Sequence, residues 1–233
     1  MKKILLISLL LYFGCEENTN SDQGSEFLII SAEGNYGDSN GSLTMFNGDE
    51  KIQTIDNVGD VVQSILVHDD KLFVAINNSH LIKRYTITKT GLQLPGIEIS
   101  TQNSSPREMV VLDGRLYFTN WFSKDVKILN LTTFSLEESI PIDGVPEDII
   151  TDGTSLWVAV PSIDVYDQGY GTSVLKINPI AKTILETYEV GNGPQNLLLE
   201  EGKLWVSRTF YSSDWSTAYY GSSSIDLNTK EVE

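Results

Sequence analysis

The 233-residue chain carries 32 acidic against 16 basic side chains, a formal charge of −16, with one cysteine and two histidines. This balance excludes a nucleic-acid partner, since phosphate binding needs a basic face, and a single thiol excludes an intramolecular disulfide. His68 and His80 are not arranged as metal ligands and adjoin no Ser or Cys motif of catalytic type, so both read as surface residues.

The chain opens "MKKILLISLLLYFG", with Lys2 and Lys3 ahead of an apolar run from Ile4 to Phe13. That run falls short of the ~20 apolar residues that cross a bilayer, so residues 1–14 read as a signal peptide that is removed. Without those residues, which hold two lysines and no acid, the formal charge goes from −16 to −18. Cys15 closes the run and resembles the lipidated cysteine of bacterial lipoproteins, although Tyr12 stands where that pattern usually has Leu. Glu16 and Glu17 behind it resemble the surface-export signal of Bacteroidota lipoproteins. The resemblance implies acylation of Cys15, a disordered tether over residues 15–25 and a place on the outer membrane, at the cell surface or on the periplasmic face.

From residue 26 onward the chain repeats. "SILVHDDKLFVAI" from Ser64, "EMVVLDGRLYFTN" from Glu108, "DIITDGTSLWVAV" from Asp148 and "NLLLEEGKLWVSR" from Asn196 share one plan. Each is an apolar run, an acidic or Asp-Gly turn, and a second run led by Leu and an aromatic. The leading residues Leu72, Leu116, Leu156 and Leu204 are separated by 44, 40 and 48 positions, and "EFLIIS" fits the same slot with Phe27. Asp113-Gly114, Asp152-Gly153 and Glu201-Gly202 read as tight hairpins with positive φ. A third strand follows each copy ("SLTMF", "LIKRYTI", "VKILNL", "VLKIN", "SIDL"), then a fourth ("KIQTI", "LPGIEI", "LEESIPI", "ILETYEV"). Four short strands in a period of ~40 to 45 residues predict an all-β propeller of four-stranded antiparallel blades. The first run of each copy is almost wholly apolar, as in strands buried on both faces.

Five blades are expected, over about 26–58, 59–101, 102–143, 144–190 and 191–233, in one domain. Blade one begins at its second strand and "TKEVE" opens the fifth blade's outer strand. The expectation is therefore an open ring from a truncated chain.

The phrases "SPREMVVLDGRLYFTNWFSKDVKILNLTT" and "GNGPQNLLLEEGKLWVS" resemble repeats of YncE-like, YVTN-type propellers. "AEGNYGDSNGSLTMF" resembles the first blade of lipid-anchored Bacteroidota propellers in that group. Some of those capture cobalamin beside an outer-membrane transporter. The resemblance spans residues 26–233 and implies a corrinoid as ligand and a TonB-dependent transporter as partner.

Let A to D name the strands from the axis outward. Because they run antiparallel, the B-to-C loops and D-to-A links share one face of the disc. The A-to-B turns are uniformly short, whereas the B-to-C loops vary and hold most of the aromatics. They contribute Asn35, Tyr36, Trp121, Phe122, Tyr166 and Tyr170, then Arg208, Tyr211, Trp215 and Tyr219 from "RTFYSSDWSTAYYGSSS", a loop by its Ser/Thr/Gly composition. The links add Arg107, Glu147, Gln195 and Asn196 behind repeated prolines. Stiff aromatics over an invariant scaffold suit a flat or cyclic ligand, sugars included. Such rings also suit a protein-interaction scaffold without a small ligand, or a satellite core.

An enzyme is not expected. Glu108, Glu147 and Asp148 could hold a cation as in propeller lactonases and lyases, but no histidine joins them and no nucleophile-base pair is visible. "YGDSNG" fails as a calcium loop, with Tyr36 at the first ligand place and Asn47 at the last. No cofactor and no metal site are expected.

Overall fold

The computed structural model describes residues 27–166 and 169–233. The leader, Cys15, the tether and Glu26 lie outside the described residues. Nineteen strands and no helix occur among the described residues.

Blade one is β1 (Phe27–Ala32), β2 (Ser42–Asn47) and β3 (Glu50–Ile55). In blade two, β4 (Val62–His68), β5 (Lys71–Ile76) and β6 (Leu81–Thr88) are followed by β7 (Gly91–Leu92), a short addition at the far end of β6. Its outer strand is β8 (Ile97–Ser100). Blade three runs β9 (Pro106–Leu112), β10 (Arg115–Asn120), β11 (Asp125–Asn130) and β12 (Ile140–Pro141). Blade four runs β13 (Ile149–Thr151), β14 (Leu156–Ser162), β15 (Tyr170–Asn178) and β16 (Thr183–Glu189). Blade five has β17 (Pro194–Glu200), β18 (Lys203–Tyr211) and β19 (Ala218–Asp226), and an Ile225–Val232 bridge where an outer strand starts. All pairings are antiparallel within a blade. The protein is an all-β propeller whose described residues form an open arc, since β1 pairs with β2 and no described strand lies along its other edge.

Alternation along the second strand glues the blades together. Leu72, Val74 and Ile76 of β5 join Leu43 and Met45 of blade one, while Phe73 and Ala75 join Met109, Leu116 and Phe118 of blade three. Farther along, Trp157 and Ala159 meet Leu197, Leu204 and Val206 of blade five. The deepest burial lies in these second strands, not in the first ones as expected. β5 and β10 are buried from their second residue on, whereas β9 and β13 are half-buried because they border the axis.

Two sequence expectations are corrected. Phe27 faces blade two, and because Ala32 pairs Ser42 as Ile76 pairs Leu81, the place of Leu72 is held by Leu28 and not by Phe27. Asp113-Gly114 and Glu201-Gly202 do turn with both φ positive, but at Asp152-Gly153 only the glycine does. The loop there has two more residues, and the Asp152 carboxylate organises it by accepting from the Thr154 and Ser155 N–H groups (2.9 and 2.7 Å) and Trp157 Nε1–H (3.0 Å). Burial opposes the charge, but these bonds and the Thr154 hydroxyl hold the carboxyl down at about 2.

Candidate functional site

Each D-to-A link enters its blade at an equivalent place, bringing Gln63, Arg107, Glu147 and Gln195 into sequence around the axis. Pro106 and Pro194 open their strands, where a missing N–H does little harm. The links are stitched to their neighbours: Ser64 Oγ donates to the Arg107 carbonyl (2.5 Å) and Thr119 Oγ1 to that of Glu147 (2.5 Å).

On this frame Arg107 spans three blades. It donates from Nε and Nη2 to the Glu147 carboxylate (3.1 and 2.6 Å) and from Nη1 to Gln63 Oε1. Its guanidinium lies 3.9 Å from the Trp121 ring centroid, and Trp121 Nε1–H donates to Glu147 Oε2 at 2.7 Å. The two charged side chains are 15% and 10% exposed, so the pair is nearly dry. Desolvating two ions is offset only when their geometry and remaining bonds are good, and here five directed contacts converge.

Blade five supplies the wall. Residues 208–211 and 218–224 are not a loop but the continuation of β18 and β19 into a ribbon, and the turn is confined to residues 212–217. Thr209, Phe210 and Tyr211, the first two facing Tyr220 and Tyr219 across the ladder, favour pairing over the coil that the serines suggest. Asp214 caps the turn, accepting from Ser212 Oγ (2.6 Å) and Ser216 N (3.1 Å), which holds its carboxyl at about 2. Phe210 and Tyr219 stack across the ribbon at 4.9 Å and 17°, with the Tyr170 ring edge-on to Phe210 at 5.4 Å. The Tyr170 hydroxyl donates to the Tyr211 carbonyl, tying blade four to the ribbon. Tyr211 and Trp215 pair at 5.4 Å, the latter 65% exposed.

Links, blade-four loop and ribbon enclose a hollow of about 460 Å³ between blades three, four and five. Eight of the expected residues line it: Arg107, Trp121, Glu147 and Tyr170, with Gln195, Asn196, Tyr211 and Trp215. Six do not. Asn35 and Tyr36 sit in the first-blade loop, tied through Gly37 N–H to Asp60 (2.9 Å). Phe122 packs between His80 and Tyr166 (5.8 and 6.4 Å) outside the hollow. His80 is itself half-buried, its Nδ1 accepting from Ser105 N–H at 3.1 Å. Tyr219 lies against Phe210, and Arg208 points between blades four and five beside Gly191 and Gly221, its Nε buried without a partner among the described residues. Ser162, Asp164, Val165 and Phe210 belong to the lining although the sequence did not select them as site residues. Their common signal is that they fall within the B-to-C segments whose lengths vary.

Next in the chain to Arg107 and Glu147, outside the lining of the hollow, stand Glu108 and Asp148. Burial, with the charges of Asp148 and Glu147, pushes the Glu108 carboxyl up to about 7. Burial also raises Asp148, although it accepts from the Leu197 N–H at 2.7 Å. No three His, Cys, Asp or Glu side chains among the described residues converge as a cation cage.

No protein-family profile and no curated sequence matches the chain. Its fold is similar to a candidate 6-phosphogluconolactonase from Bacteroides uniformis (TM-score 0.68, 11% identity, 91% of this chain on 68% of that one). It is similar also to the WD40 domain of Neurospora crassa Pan2 (0.66, 12%, 90% on 61%) and to hydrazine synthase of Kuenenia stuttgartiensis (0.67, 12%, 82% on 58%). The chain thus spans less than two thirds of the Pan2 domain and of the hydrazine synthase chain. At these identities the similarity is one of fold.

Proposed function

We propose that this protein is a ligand-capturing propeller held outside the cytoplasm by a lipid on Cys15. It takes a small cyclic ligand, a corrinoid or a glycan, into the hollow between blades three, four and five and presents it to an outer-membrane transporter. The observation that carries the ligand reading is the convergence of Trp121, Tyr170, Phe210, Tyr211 and Trp215 from three blades on one concave site. Stiff amphipathic rings give area at low entropic cost, and the tied links beneath keep them in place. The anchor, surface location and transporter rest on the resemblances of residues 15–17 and of the first-blade loop.

The reading is tested by mixing the purified protein with cyanocobalamin or with a glycan panel and following both by gel filtration and calorimetry. Saturable binding of either that Trp121→Ala weakens supports it; no binding of either rejects it. Cys15→Ser should move the protein out of the membrane fraction, and undiminished retention would remove the anchor. A protein-interaction role is favoured by one separate observation, the exposure of Tyr220 (78%) on the ribbon away from the hollow.

A further inference from the structure

Every formal charge that lines the hollow is already answered. Arg107, the one cation of the described lining, is engaged by Glu147 and Gln63. Glu147 accepts from Arg107 and Trp121, and Asp164 from Lys124 Nζ (2.7 Å) and the Tyr166 N–H (3.1 Å). An anionic ligand would enter a site with two carboxylates and no uncommitted cation, losing its hydration without an ion partner. Around these pairs stand neutral groups with capacity to spare. Among the described residues the Gln195 amide and the Ser162 hydroxyl make no hydrogen bond, and Asn196 uses only its oxygen, accepting from Ser207 Oγ at 3.2 Å. An ionised carboxylate has about four acceptor positions, so Asp164 retains room for a hydroxyl.

Resting on the pocket reading above, we infer that the ligand is an uncharged saccharide, its apolar ring face laid on the Trp121 and Tyr211–Trp215 aromatics and its hydroxyls taken by Gln195, Asn196, Ser162 and Asp164. A sugar ring is apolar on its C–H faces and hydroxylated around its edge, which matches rings on the wall and amides on the floor. The hollow of about 460 Å³ matches about one or two sugar rings more closely than a whole corrinoid. Phosphorylated sugars are excluded by the charge argument, which separates this site from what the name of the Bacteroides uniformis relative describes.

The probes are glucose, galactose, mannose, xylose and N-acetylglucosamine, their 1,4-linked dimers, and glucose and mannose 6-phosphates, with cyanocobalamin run in parallel. Binding is read by calorimetry and saturation-transfer NMR. At least one neutral sugar is expected to bind, its 6-phosphate at least tenfold more weakly, with Trp215→Ala weakening the neutral ligand several-fold while leaving the melting temperature in place. Equal or tighter binding of a phosphate would overturn the inference and leave the pocket standing. Cobalamin binding without any saccharide binding would do the same, whereas an empty result in both arms would sink the pocket reading too.

Discussion

Trp157 and Trp205 hold the same place in neighbouring blades, each following the leading leucine of its second strand, yet one is 1% exposed and the other 44%. Trp157 is covered by blade five, with its Nε1–H on Asp152 and the Lys176 ammonium 4.9 Å from its ring. Leu198, across the ladder from Trp205, is 58% exposed. The same contrast separates Leu72 and Val74, fully buried, from Leu28 and Ile30 of β1, 55% and 49% exposed. A repeat writes the same apolar pattern into every blade, but burial is realised only where another blade leans on it.

The largest consequence is in stability. Trp157→Ala should cost about 3–5 kcal/mol, lowering the melting temperature by roughly 10 °C, and Trp205→Ala less than about 1 kcal/mol. Equal losses would mean that Trp205 is covered in solution and would dissolve the contrast. Next comes the link position that blades four and five share. Removing the Glu147 carboxylate strands a buried guanidinium, so Glu147→Ala should cost about 3 kcal/mol, while Gln195→Ala should change stability by less than about 0.5 kcal/mol. Urea titration compares them.

Smaller again is a pH effect confined to the interior links. Glu108 holds its proton up to about 7 in the fold but only to about 4.5 unfolded. Its contribution is present below the unfolded value, declines as pH rises between the two, and is gone above 7. Stability should therefore fall by about 1–3 kcal/mol between pH 5 and 8, and Glu108→Gln should flatten that slope. Asn196, its counterpart in blade five, has no charge to crowd, so Asn196→Ala should leave the slope as it is. An unchanged slope in Glu108→Gln would place the titration elsewhere. The smallest effect belongs to the open face of blade one: Leu28→Lys should shift stability by less than about 0.5 kcal/mol while reducing self-association in sedimentation velocity.

The strands and the order of the blades were legible because turns punctuate apolar runs of strand length. "EFLIIS" was misread by one place because it is apolar at both parities, and period two then cannot say which side faces the neighbour. The ribbon at Thr209–Tyr211 was hidden by the serines around it, which weigh on composition but not on pairing. For the site, chain order tells which face and which blade a loop belongs to but not which loops lean together over one hollow. Asn35 and Tyr36 thus share a face with Trp215 without sharing its hollow. The Arg107–Glu147–Trp121 group unites residues up to 40 positions apart, and no local pattern announces such a pair.

The hydroxyl tie from Tyr170 to Tyr211 joins blades four and five across a hollow that blade three also lines. Opening blade five as a cooperative unit would carry away Phe210, Tyr211 and Trp215 together, so an empty hollow and an undocked blade are linked states of one equilibrium. A ligand that seats there adds its binding free energy to the seam between blades four and five. Amide exchange in β17 to β19 should slow on ligand addition while that of β4 to β6 stays unchanged, so occupancy acts as the fastener of blade five.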